Sequence, residues 1–371
     1  MQKIFWLVGE KSGDLHASYV LEKLNNLGEF THYGVGGERM QKQGLQSLFE
    51  FSRFNVMGFV EVIKHLHFFL SVEKEIKQIL ETNRPDLLVL VDYPGLNLRI
   101  AKIAKDMGIK VLYYICPQFW AWKHKRVFKI KEYTDFVCCI NPFESAMLDE
   151  YDIPNKYVGH PVAEEISAQL TKSAFAQKFA LDESKEWIGM FPGSRRTEFI
   201  RHFEVFNQVA LHNPQRLYLL SISDKAFLGL IEPDKIAKNI VLIENYNYDI
   251  MKHSDFVVAK SGTTTLETTL FATPFIIVYK VNPITVAIAK RIAKVKYIGL
   301  PNLIVNEEII PELIQNDVNP SRILSEIESV LQDEKRRTIL IKKLSSIKSM
   351  LGDKSASQNT SLQIIKLLNN E

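Results

Sequence analysis

Two hydrophobic patterns alternate along the chain. The first is a short run that is apolar at every position, as in LLVLV at 87–91. Such a run suits a strand buried on both faces, the condition of a parallel sheet. Runs of this kind predict strands at 3–8, 86–91, 110–115, 135–140, 187–191, 216–220, 239–243, 255–259 and 274–278. The second pattern repeats every three to four residues. Phe199, Phe203, Phe206 and Ala210 set an apolar stripe along one side of a helix. Strand and helix alternate almost throughout, which predicts an α/β fold of doubly wound, Rossmann-like sheets.

The alternation falls into two series. One runs from residue 3 to about 159, and the other opens at Trp187 after a stretch with little strand character. The expected division is a first domain over 1–165, a second over 166–345, and carboxyl-terminal helices over 346–371 that pack back on the first domain. Ligands of open α/β sheets sit outside the carboxyl ends of the strands, so the loops after the strands hold the candidate chemistry.

Composition narrows the classes of function. The chain has 371 residues, 46% of them hydrophobic and 24% charged, an ordinary globular composition. A net charge of +3 is too small for wholesale coating by nucleic acid, and no nucleic-acid partner is expected. The three cysteines, Cys116, Cys138 and Cys139, are odd in number and include an adjacent pair. They fit a reducing, intracellular location and lack metal-ligand spacing. The opening MQKIFWLVGEKSGD reads as a first strand rather than a signal peptide. No run approaches the ~18 apolar residues of a spanning helix.

Four loops stand out. GEKSGD (9–14) has Gly9 and Gly13 for tight turning, and Asp14 either caps the following helix or meets substrate. In VDYPGLN (91–97), Asp92 ends a strand. It either takes a proton from an attacking hydroxyl or ties down loop amides. FPGSRRTE (191–198) brings Gly193, Ser194, Arg195 and Arg196 to a helix start, an arrangement that suits a phosphate; Ser194 alone is also an ordinary cap. AKSGTTTLETTL (259–270) offers the amides and hydroxyls of Ser261, Gly262, Thr263, Thr264 and Thr265 to a diphosphate. One turn on, Glu267 either reaches a ribose or closes a capping box with Thr264.

Two further stretches are amphipathic. VMGFVEVIKHLHFFL (56–70) carries Val56, Phe59, Val60, Ile63, Leu66, Phe69 and Leu70 on one stripe, widened by Val62 and Phe68. It reads as a buried core helix or as an interfacial, acyl-contacting one. PQFWAWKHKRVFKIK (117–131) sets Phe119, Trp120 and Trp122 before five cations with no acid between them. Lipid phosphate, a membrane surface, or core aromatics beneath a solvated basic helix all fit it.

The blocks GEKSGD, VGGERM, VMGFVEV, DYPGLNLRIA, PQFWAWKHKRVFKI, PFE, VGHPVA, PGSRRTE, SGTTTLE and LPNLI occur in that order. Together they resemble the lipid-A-disaccharide synthase family across nearly the whole chain. The resemblance implies a GT-B glycosyltransferase, with two Rossmann-like domains facing a cleft and the carboxyl-terminal one holding a UDP-sugar. The implied reaction moves 2,3-diacylglucosamine from its UDP donor to 2,3-diacylglucosamine 1-phosphate with inversion, giving the β-1',6-linked disaccharide 1-phosphate and UDP. No metal and no cofactor are implied.

Carried over residue by residue, Gly13, Ser194, Arg195, Ser261, Gly262, Thr263, Thr265, Glu267 and Asn302 would bind the donor, with Arg195 also stabilising the leaving charge. Many family members carry an aspartate where this chain has Gly95, so the base falls to Asp92 first and Asp14 second. Val56, Met57, Phe59, Phe68, Phe69, Trp120, Trp122, Lys123 and Arg126 would meet the acceptor or a membrane. The implied location is the inner face of the cytoplasmic membrane of a Gram-negative-type bacterium, as a peripheral protein; oligomeric state stays open. UDP-N-acetylglucosamine 2-epimerases and the peptidoglycan N-acetylglucosaminyltransferase share the nucleotide half, but the 56–70 and 117–131 blocks argue against them.

Overall fold

The computed structural model describes residues 1–54, 66–121, 124–282, 295–352 and 355–370. The chain forms two compact units, Met1–Glu164 with Gly352–Glu371, and Glu165–Leu351.

The first unit is built on seven strands: β1 (Gln2–Val8), β2 (Phe30–Val35), β3 (Gln46–Ser47), β4 (Leu87–Val91), β5 (Lys110–Tyr114), β6 (Phe136–Cys139) and β7 (Asn155–Tyr157). Their order is β3-β2-β1-β4-β5-β6-β7, all parallel. The central strands β1 and β4 are buried almost end to end, as their unbroken apolar runs require.

The apolar-run criterion did not predict β2, β3 or β7. In β2, FTHYGV, the polar His32 is buried yet satisfied, accepting from Trp6 Nε1 at 3.1 Å and pairing with Asn25 at 3.2 Å. Burial lowers its pKa to about 4, so the ring stays neutral in the core. Strands β3 and β7 are short outer strands of two and three residues, too brief to show a period.

The second unit repeats the plan with six parallel strands. These are β8 (Trp187–Phe191), β9 (Leu217–Ile222), β10 (Ile240–Glu244), β11 (Phe256–Lys260), β12 (Phe275–Tyr279) and β13 (Glu312–Ile314), in the order β10-β9-β8-β11-β12-β13. Strand β13 also escaped the sequence criterion, being three residues with only Leu313 buried.

The last helices divide between the units. Helix Glu334–Met350 contributes Leu340 and Leu344 to the second core. Helix Ala356–Asn369 joins the first, with Ile364 and Leu368 in its core and Ser361 Oγ donating to the Val20 carbonyl at 3.2 Å.

In each sheet the chain first steps outward from a central strand on one side, then returns and continues on the other. The reversal lies between β1 and β4 in the first unit and between β8 and β11 in the second. Loops leaving two neighbouring strands at such a point diverge to opposite faces and open a crevice for ligand. GEKSGD and VDYPGLN leave one reversal point, and FPGSRRTE and AKSGTTTLETTL leave the other.

Candidate functional site

In the second unit, a pocket of about 340 Å³ opens at the carboxyl ends of β8 and β11. Gly193, Ser194 and Arg195 line it from one loop, and Ser261, Gly262, Thr263 and Thr264 from the other. Two helices, Arg196–His212 and Thr263–Phe271, begin there. Neither N-cap residue, Arg195 or Gly262, supplies a side-chain cap. Apart from the Thr265 amide, which donates to the Gly262 carbonyl at 3.1 Å, the first-turn amides and the positive ends of both helices therefore remain available to an anion.

The cations of the pocket are held by one carboxylate. Glu198 lies 2.9 Å from Lys260 Nζ and 3.7 Å from an Arg195 guanidinium nitrogen. Its closeness also explains Gly193, where φ is +109° and a Cβ would come within 2.7 Å of the Glu198 carboxylate. Lys260 is largely enclosed while Arg195 is mostly exposed, so Lys260 is the fixed charge and Arg195 the mobile one. Sequence reasoning quoted Lys260 and Glu198 within their loops but gave neither a role. The signal was positional: Lys260 ends β11 directly at the reversal point.

Glu267 also lines this pocket. The capping box with Thr264 does not form, because the helix starts two residues earlier than the box requires and its N-cap is Gly262. Thr265 turns inward, fully buried, and its hydroxyl donates to the Gly262 carbonyl at 2.8 Å. Thr265 thus closes the turn and does not present its hydroxyl to the pocket, contrary to the donor-contact expectation. Glu267 accepts a long hydrogen bond from the Tyr248 hydroxyl at 3.4 Å. Burial first, and the nearby Glu165 second, push its pKa up to about 7.

Asn302 differs from its expected role as well. It is fully buried, and its amide donates to the Ile310 carbonyl (2.8 Å) and Glu312 (2.9 Å). Its oxygen accepts from the amides of Ile309 and Ile310, both at 3.0 Å. Two donors and two lone pairs are all engaged, leaving no capacity for a ligand. Asn302 fixes the 306–312 loop.

In the first unit, Asp92 follows β4 with φ +47°, and Tyr93 follows with φ +46°. Consecutive left-handed residues that are not glycine are strained, and such strain concentrates at functional sites. Burial raises the Asp92 pKa. The Tyr93 amide, His16 and Arg126 pull it back down. Arg126, from the first turn of helix Arg126–Tyr133, is half-buried and interacts with Tyr113 and Asp92 rather than standing in solvent. The Tyr93 ring packs against Gly9, where a Cβ would come within 2.4 Å of the ring.

Asp14 does not share this character. It lies inside helix Lys11–Asn25 rather than at its start, and its carboxylate caps another helix, Glu38–Lys42. It accepts from the amides of Gly37 (2.7 Å), Arg39 (3.2 Å) and Met40 (3.3 Å). A carboxylate so engaged is a structural anchor, and the expectation of a base at Asp14 is withdrawn on that geometry. Gly13, expected at the donor, is buried in the same helix of the first unit, where its missing Cβ lets the helix approach Val8 and Val91.

The basic-aromatic block separates into parts. Phe119 and Trp120 are core, and Trp120 Nε1 donates to the buried Glu144 at 3.0 Å while its ring meets Phe143 edge-on. Trp120 is therefore not a membrane or acyl contact. Glu144 also accepts from the Asn141 side chain and the amides of Ile140 and Asn141, which accounts for the PFE block. The exposed face of the helix carries Lys125, Phe128 and Lys129, with Phe128 57% exposed. Trp122 and Lys123 lie outside the described residues, as do Val56, Met57 and Phe59. Phe68 stands beneath the Arg53 guanidinium at 4.4 Å, and Phe69 is buried against Tyr93.

A family model described as Lipid-A-disaccharide synthetase matches residues 4–365. The lipid-A-disaccharide synthase of Trichlorobacter lovleyi is 35% identical over 99% of this chain and 98% of its own length. That of Nitrosococcus oceani is 36% identical over 93% and 91%. Among solved structures, the UDP-GlcNAc 2-epimerase of Neisseria meningitidis bound to UDP-GlcNAc matches with a TM-score of 0.69 at 12% identity, covering 98% of this chain and all of that one. The kitacinnamycin glycosyltransferase matches at 0.71 and 12%, covering 99% of each. At such identities the solved structures share the fold alone, the GT-B arrangement of two Rossmann-like domains. With a family match over nearly its whole length, the chain belongs to the lipid-A-disaccharide synthase family, glycosyltransferases of lipid A biosynthesis.

Proposed function

We propose that this protein transfers 2,3-diacylglucosamine from UDP-2,3-diacylglucosamine to 2,3-diacylglucosamine 1-phosphate. The products are the β-1',6-linked disaccharide 1-phosphate and UDP. The observation that carries this reading is the pocket at the β8/β11 reversal, where two helix starts without N-cap side chains converge with Lys260, Arg195 and Glu267, a carboxylate with one long hydrogen bond among those described. A nucleoside diphosphate needs those groups: amides and cations for the phosphates, and an acceptor for ribose hydroxyls. The solved epimerase of the same fold is described as bound to UDP-GlcNAc.

The chemistry is a single displacement. Asp92 takes the proton of the acceptor 6-hydroxyl as that oxygen bonds to the anomeric carbon from the side opposite the phosphate. The bond from the anomeric carbon to the diphosphate oxygen breaks, and its electron pair leaves with UDP. The helix starts, Lys260 and Arg195 stabilise the negative charge that develops there. A carboxylate whose pKa is raised by burial is a stronger base than an exposed one, provided it remains ionised at working pH.

Both substrates carry acyl chains, and no helix among the described residues is long and apolar enough to cross a membrane. We read the protein as attached peripherally to the inner face of the cytoplasmic membrane. The exposed Leu70, beside the apolar 56–70 stretch, is a contact point. Phe69 is a poor probe because it is core. Replacing Leu70 by Ser is expected to lower co-sedimentation with anionic phospholipid vesicles while UDP affinity holds; unchanged sedimentation would count against this contact.

Two predictions concern the chemistry. With acylated donor and acceptor, Asp92→Asn is expected to lower kcat by about 10²-fold or more, the usual contribution of a general base. A folded variant with near-native turnover would remove Asp92 from the mechanism. The wild type should form a β-1',6 linkage, read by NMR of the product.

The second prediction is a pH dependence of UDP binding. Only ionised Glu267 accepts from two ribose hydroxyls. Its raised pKa, about 7, leaves it mostly protonated at pH 6 and mostly ionised at pH 8. UDP affinity therefore rises with pH across that window, by up to about tenfold from this group. The phosphate of UDP titrates nearby, so Glu267→Gln serves as the reference. Calorimetry should find a steeper pH dependence in the wild type than in the variant, and parallel curves would refute the ribose role.

A further inference from the structure

We propose that Tyr113 and Asn97 are positioning residues, whose side chains clamp the Asp92 carbonyl and so hold the carboxylate of the same residue in its working direction. The proposal rests on the reading of Asp92 as the base.

The starting point is strain. Asp92 and Tyr93 both adopt left-handed backbone, at φ +47° and +46°. Aspartate tolerates that region better than most residues, but tyrosine does not. Each such residue is strained and persists only where the surroundings over-determine it.

Those surroundings are on hand. The Asp92 amide donates to the Tyr114 carbonyl at 3.1 Å. The Asp92 carbonyl accepts twice, from the Tyr113 hydroxyl at 2.6 Å and from Asn97 Nδ2 at 2.7 Å, which fills both of its lone pairs. Asn97 Nδ2 also reaches the Val91 carbonyl at 3.2 Å, and the Asn97 amide donates to the Tyr93 carbonyl at 3.2 Å. Downstream, the Tyr93 ring rests on Gly9 and its hydroxyl donates to the Phe54 carbonyl at 3.3 Å.

The two side chains are not merely convenient packing. Tyr113 and Asn97 are both fully buried. A phenylalanine would fill the Tyr113 site with one polar atom fewer to satisfy, and a leucine is the ordinary choice on a core-facing helix position such as 97. Burying a hydroxyl and an amide is unfavourable unless each is paired. Here the Tyr113 hydroxyl and Asn97 Nδ2 are both paired to the same carbonyl, at the residue that leaves β4 for the reaction, while the buried Asn97 Oδ1 has no partner among the described residues, a cost that packing alone would not retain. Without them, φ of Asp92 can relax to a negative value, which swings its Cβ and carboxylate away. Displacement by about 1 Å is enough to cost a reaction roughly 10²-fold.

The test uses the full chain with acylated donor and acceptor, comparing Tyr113→Phe, Asn97→Ser, Asp92→Asn and the double variants with Asp92→Asn. Thermal melts verify folding. Each clamp variant is expected to lower kcat by roughly 10- to 100-fold while KM for both substrates stays within about twofold. The acid limb of the kcat–pH profile should shift as well, because the carboxylate changes its distances to His16, Tyr113, Cys116 and Arg126, the groups that face it. Each clamp effect should vanish in the Asp92→Asn background, since a misaimed base and an absent one are equivalent.

Folded clamp variants within about threefold of wild-type kcat would overturn the proposal, as would losses that persist undiminished beside Asp92→Asn. If one clamp variant fails to fold, the other decides; failure of both makes the clamp a stability device and overturns its positioning role. Near-native turnover of Asp92→Asn overturns the base reading itself. A crippled Asp92→Asn beside normal clamp variants overturns the positioning role alone.

Discussion

Strands buried on both faces leave a protein few places for polar chemistry. In both sheets the central strands carry apolar side chains above and below, so charged and hydroxylated residues are pushed to the strand ends. Of the two ends, the carboxyl end at a reversal of strand order is the one that opens, because neighbouring loops part to opposite faces. Asp92 and the Gly9 loop occupy that point in the first unit, and the Gly193 and Gly262 loops occupy it in the second. The distribution of candidate residues follows from this one constraint.

A second sorting acts on the carboxylates. Asp14 lies beside the first reversal point, Glu144 follows β6 and Glu312 opens β13, and each is consumed by the fold. Asp14 accepts from three amides of the Glu38–Lys42 region, Glu144 from Trp120, Asn141 and two amides, and Glu312 from the Ile298 and Gly299 amides and from Asn302. Each stabilises a helix start or a turn, and none retains its acceptor capacity for substrate. Asp92 and Glu267 are different. Burial raises both, and Glu267 has only one long hydrogen bond from Tyr248 among those described. A partly desolvated carboxylate with unfilled lone pairs is unfavourable for stability alone, and that cost marks it for proton transfer or ligand binding.

What the sequence made legible follows the same physics. The apolar runs located the central strands, because burial on both faces leaves no room for polar residues. The run criterion failed for β2, where Trp6 satisfies His32, and for the outer β3, β7 and β13, which are too short for any pattern. Among site residues, Gly193, Ser194, Arg195, Ser261 and Gly262 were singled out from their loops, and the fold brings them to one pocket because each loop's position follows locally from the strand before it. Thr265, Asn302, Asp14 and Trp120 were misassigned because their partners lie beyond their own motif, or because a helix began two residues earlier than its spacing suggested. The left-handed turn at Asp92 had no sequence signal, since neither Asp92 nor Tyr93 is glycine. Gly9 was read as a turn, whereas its role is to make room for Tyr93.

The central claim is that two helix starts in the second unit hold the donor diphosphate through backbone amides. Hydrogen–deuterium exchange of the full chain with and without UDP tests it most directly. The account predicts that UDP slows exchange at the amides of 193–197 and 262–264, while those of 37–40, already capped by Asp14, are unchanged. Protection absent from both loops, with UDP shown to be bound, would contradict it.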